Sequence, residues 1–235
     1  MASSDPPRLY FAYGSNLSPT QMSLRCPAST PLGLAHLPDH TFIINARRYA
    51  NVVPNGPVNP AYLANVDADA AAAPTTDPAS ASAPPPPPSA PPPAAPGVYG
   101  ALYALPPQDE ATLDRCEGVP HAYQKQDLAV SIVNLTSKGT GATSAAAGLT
   151  PGSNVTALVY VDTERTEPST PWPEYIDRMN RGVDEATERF GLPRGYVDEV
   201  IRAYIPAAAA AAASDEDVGG GGKSKTIKDP FLEIS

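Results

Sequence analysis

Positive charge is scarce in this chain: 16 Lys and Arg stand against 25 Asp and Glu, a formal net charge of −9 over 235 residues. No segment gathers Lys and Arg into a basic stripe, which argues against nucleic acid and against an anionic membrane surface as partners. Cysteine is equally sparse. Cys26 and Cys116 have no C-x-x-C or metal-ligand spacing, and two cysteines in a chain this long make no disulfide framework. They read as free thiols in a reducing, cytoplasmic compartment. His36, His40 and His121 are scattered, form no metal set with the cysteines, and read as surface or satisfied polar residues. Long hydrophobic runs are missing as well. The longest alanine run, Ala207 to Ala213, is far too short to span a bilayer. The stretch Met1 to Arg8 lacks the apolar region of a signal peptide, and Ala2 stands where myristoylation needs glycine. Without a secretory signal, the sequons at Asn16, Asn134 and Asn154 read as chance matches.

Proline and glycine, by contrast, make up about a fifth of the chain, well above ordinary usage, and they are unevenly spread. Residues Asp67 to Pro96 are almost entirely Ala, Pro, Ser and Thr. Such a stretch cannot bury enough apolar surface to offset the entropy of ordering it. The run from Pro84 to Pro93 inside it reads as polyproline II, roughly 30 Å long at about 3.1 Å per residue. It is either an idle linker or a ligand for aromatic-grooved domains of the SH3 or WW type. From Ala207 onward, alanines, an acidic patch, Gly219 to Gly222 and Lys223 to Lys225 read as a tail. The expected organisation is one domain over 9–206, interrupted by 67–96 and followed by the tail 207–235.

Within that domain, Leu9 to Tyr13 reads as a buried strand. A helix start follows, with Ser18 as N-cap, Pro19 at the first helical position and Gln21 completing a capping box; Pro27 ends it. Phe42–Ile44, Tyr49–Val53 and Ala61–Val66 are short strand candidates, and Val98–Leu105 is a clearer one. Pro107–Cys116 reads as a short helix with Asp109 and Glu110 in its first turn and Gly118 as a left-handed C-terminal cap. Tyr123–Leu135 and Val155–Asp162 alternate as strands do. Trp172–Phe190 carries Tyr175, Ile176, Met179, Val183 and Phe190 on one face of a long helix, stopped by Gly191 and Pro193. A last helix holds Val197, Val200, Ile201 and Tyr204. This order predicts an α+β fold with a mostly antiparallel or barrel-like sheet.

Two segments can carry chemistry. In Tyr13-Gly14-Ser15-Asn16-Leu17, between a strand and a helix start, Gly14 permits close backbone approach and the amides of 14 to 17 face the positive end of the helix dipole. The segment is either a cradle for an anion or polarised carbonyl, or an ordinary turn that needs a glycine. In Leu113-Asp-Arg-Cys-Glu117-Gly118, Glu117 ends a helix. The negative end of that helix, and any burial, disfavour its carboxylate, and such a group both takes and gives a proton near neutrality. The plainer reading is a solvated Glu beside a helix cap. Ser15 lacks the G-x-S-x-G elbow of a hydrolase nucleophile. Arg47, Arg48 and Asn51 read as a solvated face, with a pocket wall near a substrate carboxylate as the other reading.

Taken together, the two segments resemble the γ-glutamylcyclotransferase-like family, in which a strand ending in Y-G-S-N-L is followed later by a short helix ending in D-x-x-E-G-V. Here these are Tyr13 to Leu17 and Asp114 to Val119. Val98 to Leu105, the segment Tyr49 to Pro54 (similar to the fungal-type branch), and Gly191 to Pro193 followed by Tyr196 also fit. The resemblance covers nearly all of the domain outside 67–96. It implies a small mixed, mostly antiparallel β-barrel flanked by helices. It further implies cyclisation of a small γ-glutamyl amino acid or amine to 5-oxoproline, with release of the amine, as in glutathione metabolism. In this resemblance Glu117 is the catalytic acid/base. The loop Tyr13, Gly14, Ser15, Asn16 and Leu17 holds the glutamyl portion, and Tyr123 and Tyr160 line the pocket. No metal, nucleotide or other cofactor is implied. An inactive binding module of the same fold, recruited through the Pro-rich segment, is the alternative.

Overall fold

The computed structural model describes residues 7–56, 97–136 and 148–208. The Ala61–Val66 strand candidate, the 67–96 insertion and residues 209–235 of the tail lie outside the described residues.

Five strands close a barrel in the order β1 (Arg8–Ala12), β5 (Gly97–Leu105), β2 (Thr30–Pro38), β6 (Gln124–Leu135) and β7 (Asn154–Val161). Each neighbouring pair is antiparallel except β1 with β7, which closes the barrel in parallel at Tyr10 and Leu158. Closure leaves these strands no unpaired edge. β3 (His40–Ile44) and β4 (Ala50–Pro54) form a separate antiparallel hairpin. The barrel interior and its caps are filled by large apolar side chains, among them Phe11, Leu34, Leu102, Tyr103 and Leu158, all but sealed from solvent.

β2 is the element that sequence pattern misses. Its residues, TPLGLAHLP, contain two prolines and a glycine and little β-branching, so local preference argues against a strand. Pairing with both β5 and β6 imposes it, with an irregularity in register at Pro31 to Gly33 where the proline interrupts the ladder.

The helices follow from local signals more directly. α1 (Pro19–Arg25) begins on Ser18, whose side chain accepts the Gln21 amide at 3.0 Å. The reciprocal half of the expected capping box is absent. The Gln21 side chain turns instead to Ser15 and Asn16, and Glu185 of α3 (Pro173–Phe190) accepts from the Ser18 hydroxyl and the Thr20 amide. α2 (Pro107–Glu117) runs one residue further than the acidic first turn and Cys116 suggested, so Glu117 is its last helical residue. Gly118 follows at φ 65°, ψ 38°, the left-handed cap that glycine adopts without penalty. α3 buries Tyr175, Met179, Val183, Ala186 and Phe190. The expected final helix divides into a short α4 (Arg194–Tyr196) and a wider turn over Val197–Ile201. Among the described residues no helix is long and apolar enough to cross a membrane.

Candidate active site

β1 ends at Ala12, and the chain then makes a single 3-10 turn over Ser15–Leu17 before α1. Gly14 sits at φ −99°, so left-handed backbone is not what requires glycine there. The requirement is space: a Cβ on Gly14 would lie 2.9 Å from the Tyr175 hydroxyl and 3.2 Å from the Ala50 Cβ. Gly182 of α3 serves the same turn from the other side. A Cβ there would stand 3.2 Å from Leu17 Cβ and 3.4 Å from the Ser15 carbonyl. Two glycines on distant segments thus let a helix and a hairpin close on the loop.

Beneath this loop opens a cavity of about 190 Å³. Tyr13, Gly14, Ser15, Asn16, Glu117, Tyr123 and Tyr160 all line it, so seven of the eight residues singled out from the sequence border one cavity. Leu17 stands apart. Its side chain is sealed in the core, and its amide donates to the Gly14 carbonyl at 2.9 Å, closing the turn. The Leu17 amide is therefore committed within the turn and is not free to face the cavity.

Glu117 enters from the C-terminus of α2 and is the one acidic residue lining the cavity among the described residues. Asn16 Nδ2 donates to its Oε1 at 3.0 Å, and Arg25 Nη1 lies 3.6 Å from the same oxygen. Arg25 is itself buried and supplies the countercharge that a carboxylate needs in so enclosed a place. Asn16 is fully engaged: Nδ2 also reaches the Tyr10 hydroxyl at 2.9 Å, while Oδ1 accepts from Gln21 Nε2 at 2.8 Å and from Arg25 Nη1 at 3.3 Å. The Tyr103 hydroxyl donates to its carbonyl at 3.1 Å. α2 is moored to the barrel below by Asp114, which accepts from the Tyr160 hydroxyl at 2.8 Å and pairs with Lys125 at 3.1 Å.

The tyrosines are walls more than proton carriers. Tyr13 donates to the Tyr160 carbonyl at 2.6 Å and Tyr123 to the Ala50 carbonyl at 2.7 Å. Burial raises the Tyr10, Tyr13 and Tyr123 hydroxyls well above the ordinary tyrosine range. It raises Tyr160 strongly, with Asp114 adding to it, and Tyr175 to about 12. None is a base near neutrality. Burial likewise pushes the Cys26 thiol up to about 12, away from nucleophilic use. Ser15 Oγ accepts from Gln21 Nε2 at 2.8 Å, and among the described residues no histidine lines the cavity.

Several lining residues carry no sequence signal that separates them from core or surface: Tyr10, Arg25, Tyr175 and Arg178. Arg47, read either as a solvated face or as a pocket wall, lines the cavity. Its neighbours do not. Arg48 stacks over the Trp172 ring at 4.0 Å and donates to the Thr170 and Pro171 carbonyls. Asn51 is buried against the Asp162 backbone at 2.9 Å.

No family model and no curated protein matches the sequence. Solved structures do match in fold. One described as a γ-glutamyl cyclotransferase superposes with TM-score 0.51 at 17% identity, covering 97% of this chain and 96% of that one. An uncharacterized protein from Homo sapiens gives TM-score 0.52 at 17% identity, with 98% of each chain covered. YkqA from Bacillus subtilis gives 0.51 at 15%, covering 87% of this chain and 57% of its own. The closed five-stranded mixed barrel with its flanking helices is the γ-glutamylcyclotransferase-like α+β fold.

Proposed function

We propose that this protein is a γ-glutamylcyclotransferase, converting a γ-glutamyl amino acid or amine to 5-oxoproline with release of the amine. The observation that carries the reading is Glu117: the one carboxylate lining the cavity among the described residues, held by Asn16, faced by Arg25, and placed beside the Gly14 loop. The substrate brings its own nucleophile, an α-amine that is protonated at neutral pH and cannot attack. Glu117 takes a proton from the ammonium. The amine nitrogen then bonds to the γ-carbonyl carbon, and the carbonyl oxygen takes up the negative charge beside the loop backbone. As the carbon–nitrogen bond to the leaving group breaks, the proton held by Glu117 passes to the departing nitrogen; the ring nitrogen then gives up its second proton through the regenerated Glu117 carboxylate to the freed amine, which leaves as an ammonium. Atoms and charge balance without a metal, nucleotide or covalent enzyme intermediate. The enclosed wall of tyrosines favours the folded conformer that ring closure needs.

Glu117→Gln keeps the shape and the Asn16 contact region but cannot shuttle a proton. Incubation with a panel of γ-glutamyl compounds, followed by assay of 5-oxoproline, tests this. The variant should lose about 10²–10⁴ in turnover while melting like the wild type. Turnover within about tenfold of wild type would exclude Glu117 as the acid/base. A wild-type protein that binds 5-oxoproline yet turns over no γ-glutamyl compound would favour the inactive binding module.

A further inference from the structure

We infer that Arg47 is a carboxylate subsite in this cavity, and that the ligands it selects are γ-glutamyl amino acids or peptides with free carboxylates, over γ-glutamyl polyamines. The inference rests on the cavity being the substrate site, as proposed above. It starts from the four arginines that line the cavity: Arg25, Arg47, Arg115 and Arg178. Arg25 faces Glu117. Arg178 is held by Glu174 of its own helix, through Nε at 2.9 Å and Nη2 at 3.3 Å. Arg115 is exposed and bonds back to the Ala111 carbonyl and the Thr112 hydroxyl.

Arg47 differs from all three. Its Nη1 is buried and meets no hydrogen-bond partner among the described residues. Its guanidinium carbon lies 5.5 Å from the Tyr123 ring centre and 6.0 Å from that of Tyr49, so its nearest company is aromatic. An unsatisfied buried donor on a permanent cation is costly, and native proteins keep few of them without a use. The backbone that presents it is pinned on both sides. The Arg47 amide donates to Asn45 Oδ1 at 3.0 Å, and Trp172 Nε1 donates to the Arg47 carbonyl at 3.1 Å. Asn45 is in turn fixed to buried Asp162 at 2.8 Å. A rigid mount whose buried Nη1 has no hydrogen-bond partner among the described residues suits a group whose partner arrives from solution.

The partner's chemistry follows from the head. A guanidinium offers two parallel N–H donors, the geometry of a carboxylate, and the low-dielectric tyrosine walls strengthen such a pair. A second ammonium, as a polyamine leaving group carries, would meet a cavity edge already rich in arginine. A γ-glutamyl amino acid offers two carboxylates, the α-carboxylate of the glutamyl portion and that of the leaving amino acid.

The test compares wild type with Arg47→Gln and Arg47→Lys by calorimetric binding and by turnover. The probes are 5-oxoproline, γ-glutamylglycine, γ-glutamylglycinamide and γ-glutamylputrescine. Arg47→Gln should weaken carboxylate binding, and raise KM, by about tenfold to a hundredfold. kcat should change less than KM, and Arg47→Lys should restore part of the loss. If 5-oxoproline, both glycine compounds and γ-glutamylputrescine weaken together, Arg47 holds the glutamyl α-carboxylate, which supports the carboxylate subsite and overturns its selection against polyamines. If γ-glutamylglycine alone weakens, it holds the leaving group's carboxylate. Binding of every probe unchanged within about twofold would overturn the inference, as would a wild type that prefers γ-glutamylputrescine to γ-glutamylglycine. Because binding is read without turnover, a wild type that binds 5-oxoproline but forms none would defeat the cyclotransferase reading and still leave Arg47 to be judged.

Discussion

Asn16 donates to Glu117 across 3.0 Å, and Arg25 decides which way round Asn16 stands. Arginine has no acceptor, so the Asn16 atom it approaches is the amide oxygen, and the nitrogen is turned to the carboxylate. The first sequence segment therefore serves the second: the Asn16 side chain has both its amide hydrogens and its oxygen committed within the protein. We propose that this side chain aims Glu117, beside the substrate role expected of the loop's backbone amides. Asn16→Ala should lower kcat by about tenfold to a hundredfold, the scale on which misplacement of a catalytic group acts. Binding of 5-oxoproline should change much less. A KM effect with kcat intact would mean that Asn16 touches substrate after all.

Gln21 stands behind Asn16. Its Nε2 is shared between Ser15 Oγ and Asn16 Oδ1, each at 2.8 Å, inside a fully buried setting. Gln21→Leu leaves both acceptors without this donor and should destabilise the fold by about 1–3 kcal/mol. It should also lower kcat in the same direction as Asn16→Ala. Denaturant midpoints and turnover of the two single variants and the double variant give the coupling between them. Strictly additive effects would show that the two residues act separately.

Gly14→Val places branched carbon where the Tyr175 hydroxyl stands 2.9 Å from a bare Cβ. The Tyr175 ring is buried and its hydroxyl oxygen accepts from the Ala50 amide at 3.3 Å, so it cannot swing aside freely. Binding of 5-oxoproline should be lost or reduced at least tenfold, which is roughly the cost of overpacking a close contact. In a Tyr175→Phe background the clash is relieved, and part of the binding should return. Normal binding in the single variant would place the substrate cradle elsewhere.

Stability should fall on the alkaline side. The Cys26 thiol rises from 9.0 to about 12 in the folded chain, and the Tyr175 hydroxyl from 10.0 to about 12, burial being the first cause for each. Above pH 9 the unfolded chain releases these protons first and so binds fewer than the native state. Stability then drops as pH rises, after being flat below that range. Urea midpoints at pH 7, 9 and 10.5 should be level for the first pair and lower at the last. A midpoint that rises at pH 10.5 would contradict the buried, neutral state of these groups.

Removing residues 67–96 and joining the ends with a short Gly/Ser loop should leave turnover and melting temperature near wild type. By composition this stretch holds almost nothing that could enter a core, and closure entropy grows slowly with loop length. If melting is unchanged but turnover collapses, the insertion belongs to the active site.

The sequence by itself determined the short-range features. Ser18 with Pro19 starts α1, and Pro107 with Gly118 bounds α2 and puts Glu117 on its last turn. Both motifs were legible because caps, glycine turns and proline positions act within a few residues. What surrounds Glu117 was decided only by the tertiary structure. Asn16 and Arg25 reach it across roughly a hundred residues of chain because β1 pairs with β5, whose end leads into α2. Arg47, legible either as a solvated face or as a pocket wall, faces the cavity because the β3–β4 hairpin folds back against α3. β2 is a strand because β5 and β6 flank it, against its own prolines. Local preference is worth tenths of a kcal/mol to about one per residue. Barrel closure and burial outweigh it, and they act between residues whose separation no local pattern records.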